Sequence, residues 1–123
     1  PKPMAPEIDD AYSFLAWASG YDHNFVLDKP LGETGIAASF YDPASGRKME
    51  VYTDLPGMQL YAGNYINNGL IGKGGCTYGK RHGVAFETQY FPNAINIPSF
   101  PQPIQKAGEL TKTTTTYKFT TVL

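Results

Sequence analysis

Val84-Ala85-Phe86-Glu87-Thr88-Gln89-Tyr90-Phe91-Pro92 reads as a β-strand, opened by Gly83 and closed by Pro92, and filled with aromatic and β-branched residues. Strand side chains alternate between two faces. Glu87 therefore shares a face with Ala85 and Gln89, while Phe86 and Thr88 point the other way. Enclosure of a glutamate among apolar side chains disfavours its charged form, which is how such a residue becomes a proton acceptor near neutral pH. On a solvated face the same residue is an ordinary surface carboxylate. The stretch alone leaves both readings open.

Working outward, the same pattern recurs. Tyr21 to Leu27 is a short strand that begins polar and ends apolar. Ile36 to Tyr41 and Lys48 to Thr53 are strand-like runs around Asp42-Pro43-Ala44-Ser45-Gly46, which predicts a hairpin. Leu55-Pro56-Gly57 reads as a turn into Met58-Gln59-Leu60-Tyr61, and Gly63-Asn64 as the next turn. Residues 67–79 look like a glycine-rich loop over an open site. The spacing in Gly72-Lys73-Gly74-Gly75 does not fit a phosphate-binding loop, and no helical pattern follows. Residues 93–103 are Pro-rich and irregular, and Glu109 to Leu123 predicts a long, half-exposed strand rich in threonine. At the other end, Pro1, Pro3 and Pro6 predict an extended opening, and Asp9 and Asp10 could start a short helix through Trp17 with Gly20 past its end. The sum is an all-β chain of about seven strands, most simply one antiparallel β-sandwich segment over residues 1–123.

Composition narrows the function. The chain has 123 residues and a net charge of −1, so it lacks the cationic surplus that nucleic-acid binding requires. No apolar run approaches the roughly 20 residues of a membrane span. Nine Tyr and seven Phe make the chain rich in aromatic rings. A single cysteine, Cys76, permits no internal disulfide, and the opening carries no secretory signal, which together predict a reducing, cytoplasmic location. Asp22, His23 and Cys76 match no zinc spacing, and Cys76 with His82 lacks an orienting partner for nucleophilic chemistry.

Polar groups suited to chemistry fall in three places: Asp22-His23-Asn24, Gln59, and Glu87 with Gln89. Each lies beside aromatic residues. Carboxylates and amides hold vicinal hydroxyls, and rings pack on the apolar faces of a sugar, so the composition suits a carbohydrate site. The structural alternatives are a backbone-bonded histidine at His23, a turn or capping carboxylate at Asp22 and a solvated strand amide at Gln59.

In order along the chain, Gly20-Tyr21-Asp22-His23-Asn24-Phe25-Val26-Leu27, Tyr41 to Arg47 with Met49 to Thr53, Pro56 to Asn64, Gly72 to Gly75, Tyr78 to Arg81 and Phe86 to Pro92 resemble the aldose 1-epimerase (galactose mutarotase) family. The resemblance continues through Asn96, Pro98 to Pro101 and the closing strand to Phe119. It implies part of the galactose mutarotase-like supersandwich and the interconversion of α and β anomers of galactose or glucose, with no metal and no organic cofactor. Glu87 would be the catalytic base, and Asp22 and Gln59 would hold sugar hydroxyls. The resemblance covers only the C-terminal part of the longer family members. Their general-acid histidine, a second histidine and a sugar-binding arginine lie in the N-terminal part, and His23, His82 and Arg81 match none of these. The alternative is a carbohydrate-binding β module without catalysis. The expected partners are a monosaccharide and either the missing N-terminal part or a self-associated copy, with neither nucleic acid nor membrane.

Overall fold

The computed structural model describes residue 4, residues 7–9 and residues 11–122. The extended opening expected around Pro1, Pro3 and Pro6 lies outside the described residues, as does Asp10, while residues 7–9 form a turn. Helix α1 (Ser13–Trp17) begins later than Asp9 and has Tyr12 as its N-cap. The strands follow in the order β1 (Asp22–Val26), β2 (Gly35–Asp42), β3 (Arg47–Thr53), β4 (Gly57–Tyr61), β5 (Leu70–Ile71), β6 (Thr77–Tyr78), β7 (Ala85–Gln89) and β8 (Thr115–Thr121). They form sheets of order β1-β4-β7, β2-β3-β8 and β5-β6. Contacts divide the chain into two compact units: residues up to His23 with Gln59–Glu87, and Asn24–Met58 with residues from Thr88 onward.

In the second unit, β3 pairs antiparallel with β2 on one side and β8 on the other. The β2–β3 turn forms because the Asp42 carboxylate accepts the Ala44 and Ser45 amides, each at 3.2 Å, and the Ser45 hydroxyl. The Ser45 hydroxyl and the Ala44 amide hold the Asp42 carboxyl below its usual value of 3.8. Along β3 the two-residue period separates two faces. One face buries Val51 and Thr53 completely. The other carries Glu50, which takes Lys48 Nζ at 2.7 Å, the Tyr52 hydroxyl at 3.2 Å and, from the facing position on β8, Lys118 Nζ at 3.4 Å.

The threonine run fixes the start of β8. Thr53 Oγ1 donates to Thr114 O at 3.1 Å and accepts the Leu55 amide at 3.2 Å. The Asp54 carboxylate takes the Thr114 amide at 2.9 and 3.0 Å, and the Thr115 hydroxyl also meets that of Thr88. The strand expected from Glu109 starts only here, and Leu110, 96% exposed, precedes it in coil. Tyr117 and Phe119 are also exposed, so the half-exposed pattern expected of β8 gives way to exposure on both faces. Within the Pro-rich segment, Gln102 Nε2 lies within 2.9 Å of Ala94 O, Ile97 O and Phe100 O and pins an otherwise irregular backbone.

In the first unit Ala62 and Phe86 are buried. The expected loop over 67–79 contains a small hairpin, with Leu70 opposite Tyr78 and Ile71 opposite Thr77. Gly72 permits it: a Cβ there would lie 2.0 Å from the Tyr78 ring. Among the described residues no helix is long and apolar enough to cross a membrane.

Thr53→Val keeps the shape of a fully buried side chain and strands its hydrogen-bond partners. Urea unfolding is expected to show a loss of about 1–3 kcal/mol, and an unchanged midpoint would refute the role given to that hydroxyl. The hydrogen bond from Lys48, aided by Lys118, holds the Glu50 carboxyl below its usual 4.5 against the opposing effect of burial. A folded value below the unfolded one stabilises fully above about pH 4.5 and is lost as pH falls through the folded value. Unfolding followed across pH 2 to 6 should show a shallower acid decline in Glu50→Gln than in the wild type.

Candidate functional site

Asp22 is the first residue of β1, Gln59 the middle of β4 and Glu87 the middle of β7, so each strand of the β1-β4-β7 sheet supplies one candidate. All three belong to the first unit. Gln59 Nε2 donates to Asp22 Oδ1 at 2.8 Å, and both side chains are half-buried. Glu87 is exposed, so the described residues do not enclose it.

Whether Glu87 shares their face follows from its neighbours. Two residues along each strand, Gln89 Nε2 donates to Asn24 Oδ1 at 3.1 Å. Those two amides sit on the outer strands of the sheet, with β4 between them. They meet at Gly57, where a Cβ would lie 2.6 Å from Asn24 Oδ1. By the two-residue period, Asp22 lies on the face of Asn24, Gln59 on that of Gly57 and Glu87 on that of Gln89. The period thus gives Asp22, Gln59 and Glu87 of the first unit one face of the sheet, and Asn24, Gly57 and Gln89 one face within the second. Met58 and Phe86, of opposite parity, are buried. The sequence reading put Gly57 in a turn; it is instead the buried first residue of β4.

His23, with the opposite parity to Asp22, is engaged by backbone at both ring nitrogens. Nδ1 accepts the Asp22 amide at 3.1 Å, so Nε2 carries the proton and donates to Phe14 O at 3.0 Å. This is the backbone-bonded histidine that was one of the two sequence readings. Arg81 is likewise occupied, its Nη2 meeting Asp9 at 2.8 Å and Ser19 O at 2.7 Å. His82 and Cys76 are exposed. Among the described residues, no three His, Cys, Asp or Glu side chains lie together as a group able to hold a metal ion.

The sequence reading did not single out the aromatic part of this face. Tyr61 lies two residues beyond Gln59 on β4 and shares its face, and its ring stacks on Tyr65 with centroids 6.3 Å apart and planes at 19°. The Tyr61 hydroxyl accepts the Tyr65 amide at 3.0 Å, which fixes the pair. The two-residue spacing from Gln59 to Tyr61 was visible in the sequence, whereas the stack was not, because Tyr65 follows the strand. Carboxylate, amides and an exposed ring are together suited to holding a polyhydroxylated ring and moving a proton on it.

Residues 1–118 match the family described as aldose 1-epimerase. Over 101 residues the chain is 45% identical to the galactose mutarotase of Homo sapiens, covering 82% of this chain and 29% of that protein. It is 32% identical over 102 residues to the aldose 1-epimerase of Escherichia coli K12, covering 81% and 29%. The crystal structure of a GalM/aldose epimerase homologue from C. elegans superimposes with a TM-score of 0.72 at 26% identity, covering 84% of this chain and 30% of that one. The all-β, antiparallel class expected from the sequence is thus shared with that structure. The chain spans about 29% of the length of the curated relatives it matches.

The hydrogen bonds at His23 predict a single neutral tautomer with the proton on Nε2. Long-range proton–nitrogen NMR correlations at neutral pH should show that pattern, and an Nδ1-protonated ring would contradict the assignment.

Proposed function

The chain belongs to the aldose 1-epimerase family, and from that premise we propose that its β1-β4-β7 face holds a free aldohexose such as galactose or glucose and supplies the base for anomer interconversion. The observation that carries this reading is the 2.8 Å bond between Gln59 and Asp22 on the face that also presents Glu87. Asp22 and Gln59 hold sugar hydroxyls, and the Tyr61–Tyr65 stack offers an apolar ring face.

Glu87 takes the proton of the anomeric hydroxyl. The freed electron pair forms the C1 carbonyl as the C1–O5 bond breaks, and O5 receives a proton from an acid. Rotation about C1–C2 presents the other carbonyl face, and ring closure reverses both transfers. His23 is not that acid, since backbone groups engage both its nitrogens. In this reading the acid comes from the preceding part of the longer family chain, and these residues provide half of the proton relay. A sugar-binding module without catalysis is the second reading, favoured by the exposure of Glu87.

Polarimetry of freshly dissolved α-D-galactose separates the two, with the chain alone and with the preceding portion of a full-length relative added as a separate polypeptide. The complemented wild type is expected to exceed the buffer rate, and Glu87→Gln to lower that gain by about 100-fold or more. Asp22→Ala and Gln59→Ala are expected to weaken galactose binding, each by roughly tenfold or more. Undiminished turnover by Glu87→Gln would remove Glu87 from the base role, and binding without turnover in every mixture would favour the module.

A further inference from the structure

Asp22 opens β1, and the loop before it is unusual. Ser19 and Gly20 both have positive φ, 56° and 133°, so residues 18–21 form no ladder and their carbonyls need donors from elsewhere. Asn64, five residues beyond Gln59, supplies two. Its Nδ2 lies 2.9 Å from Ala18 O and 2.9 Å from Tyr21 O. Two carbonyl oxygens around one amide atom require that atom to be the nitrogen, with one N–H for each. The Ala62 amide also donates to Tyr21 O at 2.9 Å, and Arg81 Nη2 holds the carbonyl between them, Ser19 O, at 2.7 Å.

The arrangement is demanding. Asn64 is only 5% exposed, and neither its Oδ1 nor Arg81 Nε, both buried, has a hydrogen-bond partner among the described residues. Folded proteins rarely leave such atoms unpaired. The amide is therefore turned for its two donors while its acceptor goes unused. Gly20 makes room for it, since a Cβ there would lie 2.5 Å from Asn64 Oδ1 and 3.0 Å from Arg81 Nη2. The sequence reading of Gly63-Asn64 as a turn holds, with Gly63 left-handed at φ 66°, and Asn64, within that turn, is in addition a buried clamp.

We propose that Asn64 is a positioning residue for the Asp22–Gln59 pair. It ties the entry of β1 to the exit of β4, and so sets the carboxylate where Gln59 meets it and where a hexose hydroxyl can reach it. This rests on the sugar-binding reading of Asp22 given above. A purely structural asparagine would alter stability and leave the pair's own signature in place.

The test uses NMR of the 123-residue chain, reading the Gln59 side-chain amide signals, with Asp22→Ala marking how they look once the bond is lost. Asn64→Asp keeps the shape of the side chain and points an oxygen at both carbonyls. Gly20→Ala displaces the same amide from the other side. The backbone amide of buried Phe86 in the first unit, with those of Val51 and Thr53 in the second, reports retained folding. Both variants are expected to move the Gln59 signals toward those of Asp22→Ala, and to weaken galactose binding by about tenfold. If Asn64→Asp disrupts folding, Gly20→Ala decides by the same readout. Gln59 signals that stay at their wild-type positions in a folded variant overturn the proposal. Galactose binding that is unchanged in the variants but present in the wild type overturns it while leaving the sugar reading intact. Absence of binding in the wild type overturns the sugar reading, and the Gln59 signals then still decide whether Asn64 places the pair.

Discussion

A missing side chain at Gly57 is the constraint on which the bridge between the outer strands β1 and β7 depends. Asn24 and Gln89 belong to strands that are not neighbours, and their amides can meet at 3.1 Å only because the strand between them presents no Cβ. That bridge links the outer strands of the sheet directly, in addition to its backbone ladder. Any side chain at Gly57 would push Asn24 aside and break its bond to Gln89. Phe91 closes the other side of the same gap, 2.9 Å from where that Cβ would stand.

The two halves of the proton chemistry are unevenly represented. The base candidate is exposed and presented on a rigid strand. The histidine adjacent to Asp22, which proximity in sequence would suggest as its partner, points away and is committed to the backbone through both nitrogens. Its work is architectural: it joins the start of β1 to helix α1 through Phe14 O. The guanidinium of Arg81 is likewise committed to the loop before Asp22. In the proposed reading the chain thus contributes a sugar-holding side, while the histidine and the arginine nearest Asp22 among the described residues are both committed to backbone groups.

Much of this was legible in the sequence where the information is local. Strand-like runs bounded by turn residues located β1, β2, β3, β4 and β7, and Asp42-Pro43 with Gly46 announced the β2–β3 hairpin. Asp22, Gln59 and Glu87 drew attention as candidates because they are polar residues amid aromatic ones, and the family resemblance suggested their roles. What failed depends on partners distant in the chain. Gly57 looked like a turn residue because Gly usually is, and Asn64, which does lie in a turn, gave no sign of its bonds to Ala18 O and Tyr21 O. The β5–β6 hairpin was hidden by its glycines, one of which exists to admit the Tyr78 ring. Residues 109–114 have strand-like composition and no strand to pair with until Thr115 meets Thr53.

The four threonines at positions 113–116 have a consequence for how the chain tolerates change in length. Thr53 and Asp54 recognise a threonine hydroxyl, a backbone amide and a carbonyl at two successive positions, and nothing that tells one threonine of the run from the next. Loss or gain of one threonine presents the same groups to the same partners. The Tyr117-Lys118-Phe119 register on β8 is preserved, and the difference passes into the preceding coil, where closing a slightly longer or shorter loop costs little. A one-residue slip inside β8 would turn every side chain to the opposite face. The repeat thus acts as an expansion joint, passing length variation into the coil that precedes β8.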